Sequence, residues 1–219
     1  TIYTRELGRQ SYLIHGVRSG KSKNKAGLLQ PLYMVDLVVY QKQTREIQRI
    51  KELKSKYTYQ NIPFDIIKST QILLLSEILY KTLNEQERFY EMYDFMKNSL
   101  MYFDLMDKGF SGFHLYFLYR LTEYLGFMPD TTKTGFEGWW DLRKGIIVPF
   151  EPSHPFFANR EITKLLLKIS NLKIQEIADL NISKIQRNVL LVKILEYYQL
   201  HFENLGEIKS LEVLREVFD

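Results

Sequence analysis

The residues in this chain best suited to chemistry are cations, and they come early. Arg9, Arg18, Lys21, Lys23, Lys25, Arg49, Lys51, Lys54 and Lys56 all lie in the first 60 residues. That stretch holds twelve Lys and Arg against four Asp and Glu, a charge of +8, while the remainder holds eighteen against twenty-two, a charge of −4. A basic front on a mildly acidic remainder suits a polyanionic partner. Lys and Arg neutralise phosphates without base-specific geometry, and each phosphate neutralised releases counterions. The stretch GVRSGKSKNKAG, residues 16–27, sets four of these cations among Gly, Ser and Asn with no acid. Its composition reads as an exposed loop rather than a helix.

Catalytic chemistry has little to build on. His15, His114, His154 and His201 are scattered, and none falls in an HxxxH or HExxH spacing. The chain has no cysteine, which excludes disulfides, thiol catalysis and thiolate metal sites. No Walker loop, GxGxxG or GxSxG occurs. Asp104 and Asp107 read as solvated acids at a helix end. These absences lower the case for an enzyme without excluding one, and the expectation is no cofactor and no metal. The densest apolar run, Ile72 to Leu75, is far too short to span a bilayer, so no membrane role is expected.

The elements that must position the cations change character near residue 60. Before it, Gln10 to Val17, Leu32 to Gln41 and Ile47 to Tyr57 read as strands, the last with a phase break near Glu52–Leu53 that a bulge would explain. LYMVDLVVYQ is β-branched and aromatic on both faces, which predicts a strand covered on both sides. A turn at 6–8 precedes the first of these strands, and TIYT reads as the tail of an earlier one. After Pro63 the period becomes helical over Phe64 to Leu83, Glu87 to Met106 and Ser111 to Leu125, with stops at Gly109 and Gly126. Their Tyr and Phe residues read as bundle core. Residues 126–153 form an irregular insert with a hairpin turning at Lys144–Gly145. Helical signal returns over Pro155 to Ser170, Ser183 to Asn204 and Ile208 to Phe218. The expected domains are 1–60, a small barrel, and 61–219, a helical domain with a hairpin insert at about 134–150. One competing pattern lies in Ile174 to Leu191, where a helix-turn-helix would present Lys184 and Arg187 to DNA. Its turn is one residue short of the usual spacing.

A small barrel with basic loops is how an OB-fold holds nucleic acid. ELGRQSYLIHGVRSGKSK, LVVYQK and IQRIKEL resemble the RecO family of bacterial recombination mediators. So do GFHLYFLYRLTEYLGFMPD, WDLRKG, SHPFF and LEYYQLHFENLGEIKSLEVLREVF, in order along essentially the whole chain. The terminal phrase is similar to RecO proteins of the Bacteroidetes type. The resemblance implies an α+β fold: an N-terminal OB-fold β-barrel, then an α-helical domain. It also implies that strands on the order of 20 residues long in total precede Thr1. Some members carry four cysteines around the hairpin and bind zinc. This chain has none, so WDLRKG is expected to be held by packing through Trp139, Trp140 and Ile146.

The same resemblance implies a non-enzymatic mediator of the bacterial cytoplasm and nucleoid. Such a protein binds single- and double-stranded DNA, anneals complementary strands, and works with RecR to load RecA on DNA coated by single-strand-binding protein. The nine basic residues named above are the expected DNA contacts, and Tyr12 is a candidate stacking residue. The acidic tail of single-strand-binding protein is expected on the helical domain, with Arg120 as its cation. A generic OB-fold module for single-stranded DNA, the helix-turn-helix regulator and a nucleic-acid enzyme using a metal or an acid pair stay open as alternatives.

Overall fold

The computed structural model describes residues 1–15, 26–40, 47–83, 89–132, 138–202 and 205–218. The chain forms two compact units that do not follow chain order: Thr1–Phe64 with Leu83–Asp104, and Asp65–Thr82 with Leu105–Asp219. The fold is mixed, with short sheets in both units and helices throughout.

The first unit opens on a tight hairpin of β1 (Ile2–Thr4) and β2 (Gly8–Gln10). Gly8 takes φ +65°, a conformation that costs glycine little, and the Thr4 hydroxyl accepts the Leu7 N–H at 3.1 Å to close the turn. One residue on, past Ser11, β3 (Tyr12–Leu13) joins a second sheet in the order β3-β5-β4. Here β4 is Val35–Tyr40 and β5 is Gln48–Ser55. β5 is central, parallel to β3 and antiparallel to β4. The described strands form open sheets, not a closed barrel.

Helix α2 (Tyr90–Leu105) completes this unit, although α1 (Ile66–Thr82), which precedes it in the chain, belongs to the other. Met92, Met96, Leu100 and Phe103 recur at three and four residues and bury one face of α2. Its first turns meet the hairpin: Tyr93 stacks on Tyr3 with ring centroids 6.4 Å apart, and Arg5 pairs with Asp94 at 3.0 Å. At its far end the Asp104 carboxylate is wholly buried. It accepts the backbone N–H groups of Gln60, Asn61 and Ile62 at 2.8, 2.9 and 2.9 Å, and the Tyr57 hydroxyl at 3.0 Å. This overturns the reading of Asp104 as a solvated acid; Asp107, one turn on, is exposed. Burial pushes the Asp104 carboxyl up, but the amides of Gln60, Ile62 and Asn61 and the Tyr57 hydroxyl outweigh it and hold it below its ordinary value.

The second unit packs α1 with α3 (Phe113–Tyr124), α4 (Arg160–Asn171), α5 (Lys184–His201) and α6 (Ser210–Phe218). α3 is buried nearly all round, so its Phe and Tyr residues are core, as their helical spacing predicts. The insert is a three-stranded sheet in the order β7-β6-β8, from β6 (Trp139–Asp141), β7 (Ile146–Val148) and β8 (Phe157–Ala158). β8 was expected to be helix; instead the helix begins only after Asn159, whose side chain caps it by accepting the Ile162 N–H at 3.0 Å. Trp140 is buried against Tyr197 at 4.9 Å and donates its backbone N–H to Thr163. Gly145 turns the hairpin at φ +66°, and a Cβ there would stand 2.5 Å from the Tyr197 hydroxyl. Trp139 and Ile146 are only half-buried, so Trp140 carries most of the expected packing. Asp141 adds a polar clasp, accepting the N–H groups of Arg143 and Lys144.

The helix-turn-helix expectation fails on two counts. Ile174–Asp179 is a 3₁₀ segment, with Ala178 packed so closely on Gly109 that a Cβ on the glycine would lie 2.4 Å from the Ala178 Cα. Arg187 is buried, donating to the Ser111 hydroxyl at 3.3 Å, so it cannot face a groove. Beside it His114 is fully buried; burial, with the positive charge of Arg187 added, holds its pKa at about 3.

Two outcomes test this description. Asp104→Ala strands three amides and a hydroxyl and is expected to destabilise the first unit by about 3 kcal/mol, read by urea unfolding. Glu77 tests the second unit. It accepts both the amide and the hydroxyl of Ser210 and the amide of Lys209, anchoring the start of α6 to α1. Burial pushes its carboxyl up, but Ser210, Lys81 and Lys209 pull it to about 2 from an ordinary 4.5. A lowered pKa contributes stability above the ordinary value that is lost as pH falls from 4.5 toward 2. Acid titration of the melting temperature should show a loss of about 2 kcal/mol in that window, absent in Glu77→Gln.

Candidate nucleic-acid interface

The three-stranded sheet of the first unit sorts its side chains strictly. In β4, Val35, Leu37 and Val39 point inward and Asp36, Val38 and Tyr40 point out. In β5, Ile50 and Leu53 both point inward although they are three positions apart, which a regular strand forbids. The register supplies the reason: Val38 pairs with Glu52 but Val39 pairs with Ile50, leaving Lys51 as the extra residue of a bulge. The expected break near Glu52–Leu53 thus sits one residue earlier, at Lys51.

The bulge decides which cations share a face. Tyr40 pairs with Arg49, Val38 lies opposite Lys51 and Glu52, and Asp36 pairs with Lys54. All of these side chains therefore stand on the open side of the sheet, and Lys56 joins them by pairing with Asp36 at 3.4 Å. Leu13, paired with Arg49 across β3, stands there too. Tyr40 is 57% exposed, Val38 47% and Leu13 43%, so the expected cover on both faces of β4 is corrected: one face is open. The interface is an aromatic and two aliphatic side chains set among four cations.

The cations differ in how far they are already engaged. Lys54 lies 3.8 Å from Glu52 and Lys56 3.4 Å from Asp36, both well exposed and so weakly bound. Arg49 and Lys51 have no ion pair among the described residues. Arg9 stands apart on the β1–β2 hairpin, half-buried and paired with Tyr3 across the strands. Tyr12 pairs with Gln48 on the inward side, so it belongs to the packed face. Arg18, Lys21, Lys23 and Lys25 lie outside the described residues. Arg120 is in the other unit, where it donates to the carbonyls of Leu172 at 2.9 Å and Ser170 at 3.4 Å. It thereby caps the C-terminus of α4 and lies over the Tyr116 ring at 5.7 Å. Tyr40 was missed in the sequence because a strand apolar on both faces hides which one is open. Its signal was the single acid, Asp36, two residues before Val38.

The whole sequence matches known proteins. The profile described as Recombination protein O N terminal covers residues 1–59, and Recombination protein O C terminal covers residues 63–212. The DNA repair protein RecO of Phocaeicola vulgatus is 34% identical over 99% of this chain and 90% of its own length. The chain belongs to the RecO family. RecO proteins of Azobacteroides pseudotrichonymphae and Porphyromonas gingivalis are each 31% identical over 100% of the chain, and over 90% and 91% of their own lengths. The family's role lies in DNA repair and recombination, as the names of these relatives state. No described helix is long and apolar enough to cross a membrane, and no group of three or more His, Asp or Glu among the described residues is placed to hold a metal ion.

The bulge can be tested directly. Deleting Lys51 joins Ile50 to Glu52 and keeps every pair of the register, so β5 becomes regular with Arg49 still on the open face and Ile50 still inward. The first unit should stay within about 1 kcal/mol of the parent in chemical denaturation, whereas a loss of several kcal/mol would show that the register does not survive without the bulge.

Proposed function

We propose that the protein is a non-enzymatic DNA repair and recombination mediator that binds DNA on the open face of the β3-β5-β4 sheet. One observation carries the reading: a bulge aligns Arg49, Lys51, Lys54 and Lys56 on one face around the exposed ring of Tyr40. Cations tracking a backbone beside an aromatic platform is the general recipe for sequence-tolerant binding of single strands, since every base has a face to stack. The same cations serve a duplex through its phosphates. The stretch 16–25 adds Arg18, Lys21, Lys23 and Lys25 to this reading through the sequence alone.

The first unit's topology supports an OB-type barrel as its parent fold. Two strands that Ser11 alone separates, β2 and β3, serve different sheets, as where a small barrel turns a corner, and the central β5 takes one parallel and one antiparallel neighbour.

Family membership supports the finer roles. These are annealing of complementary strands, cooperation with RecR, and loading of RecA on strands coated by single-strand-binding protein. With these roles goes a location in the bacterial cytoplasm, at the nucleoid. Arg120 remains the candidate cation for that protein's acidic tail. Its guanidinium has five donors, two carbonyls engage one nitrogen, and its Nε has no partner among the described residues.

The test is binding of a labelled single strand across a salt series, with annealing measured on bare and protein-coated strands without nucleotide or metal. Arg49→Gln with Lys51→Gln should flatten the slope of log K against log salt by about 1.4, two phosphates' worth on a single strand. Tyr40→Ala should weaken binding by about 1–3 kcal/mol with the melting temperature unchanged. Unchanged affinity and slope in both variants would remove the sheet face from DNA binding. Binding without faster annealing would leave a plain single-strand-binding module.

A further inference from the structure

We propose that the solvent face of α4, in the second unit, is a separate contact for the phosphodiester backbone, able to hold a strand other than the one on the sheet. This rests on the reading of the protein as one that handles DNA strands.

The residues are Arg160, Lys164 and Lys168, spaced four apart and all exposed. Four residues of helix rise about 6 Å and advance about 40° around the axis, so the three cations form a slanted row about 12 Å long. The row is rigid, because the opposite face of α4 buries Ile162, Leu165, Leu166 and Ile169. Both ends of the helix are fixed as well, by the Asn159 cap at the start and Arg120 on the carbonyls of Ser170 and Leu172 at the end.

Solvation alone is a poor account of this row. The chain beyond residue 60 carries more acids than bases, yet α4 carries three cations and one acid, Glu161. Arg160 also occupies the first turn of the helix, where the helix dipole disfavours a cation. What holds it there is Trp139, whose ring lies 6.0 Å from the guanidinium carbon. Trp139 is itself braced edge-on by Phe157 at 5.3 Å. The arrangement pre-orders an arginine at the head of a lysine row.

The aromatic pair also argues for the class of ligand. A peptide with an acidic tail and an apolar end needs an open apolar pocket beside a cation. Here the Trp139 ring is already engaged by Phe157 on one side and by Arg160. A regular polyanion asks only for spaced charges, which the row supplies.

The experiment uses the full chain, a fluorescent 30-base oligonucleotide and its complement. The variants are Arg160→Gln/Lys164→Gln/Lys168→Gln and, separately, Arg49→Gln/Lys51→Gln. Melting temperatures are recorded for each, and Lys164→Arg/Lys168→Arg serves as a charge-keeping control expected to behave as the parent. The α4 variant should bind the first strand within about twofold of the parent but anneal the complement about tenfold more slowly, with a flatter salt dependence of the rate. Annealing and salt dependence unchanged in a folded α4 variant would overturn the inference. So would unchanged annealing with loss of binding to a ten-residue acidic peptide, which would make the row a peptide site. The two readings fail separately. A defective sheet variant beside a normal α4 variant overturns only this inference, and the reverse overturns only the sheet reading.

Discussion

One buried carboxylate fixes the geometry of the first unit. Asp104 sits at the end of α2 and gathers three successive backbone amides just after β5, with the hydroxyl of Tyr57 beside them. Residues 57–62 carry no regular secondary structure, so their N–H groups have no ladder to satisfy them. A single acid does that work and ties the chain after β5 to the helix that covers the hairpin. The position of β5 relative to α2 follows from it, and with β5 the direction in which the cation-bearing face opens. The cost of burying the charge is met by the number of donors, which is why the carboxyl stays ionised.

The bulge at Lys51 is the second constraint, and it depends on a count rather than a contact. Ile50 and Leu53 must both reach the interior, and an odd spacing can do that only if one residue is set aside. The residue set aside is a lysine, placed on the open face where its charge is solvated. The same irregularity that rescues the core therefore brings Arg49, Lys51 and Lys54 into one alignment. Core packing and surface charge are solved by one backbone feature.

Much of this was legible in the sequence, for physical reasons. Helical periodicity located five of the six helices α1–α6 among the described residues to within a few residues, because apolar positions recur at three- and four-residue spacing. The phase break in IQRIKEL was visible because an apolar period of three cannot lie on one side of a plain strand. The role of Asp104 was not legible, since a buried acid and a solvated one look alike until the donors gather around it from 40 residues away. β8 was missed because two residues of strand between Pro155 and a helix cap leave no period to detect. The candidate site was half legible: the cation types and their clustering were plain, whereas their shared face required the register.

Sequence counts charges, but structure decides which remain available. Arg187 is buried beside Ser111, Lys68 is buried with its ammonium on the Met106 carbonyl at 2.6 Å, and Arg5 pairs with Asp94. Arg120 holds the end of a helix. These cations have duties inside the fold, and removing any of them disturbs packing before it touches a ligand. Arg49 and Lys51 have no such duty among the described residues, nor does Lys168 on α4. A charged side chain that stabilises nothing, on an element held rigid by everything around it, is where function can be separated from folding. In this protein Arg49 and Lys51 on the open sheet face and Lys168 on α4 meet that condition. There a loss of binding is least entangled with folding.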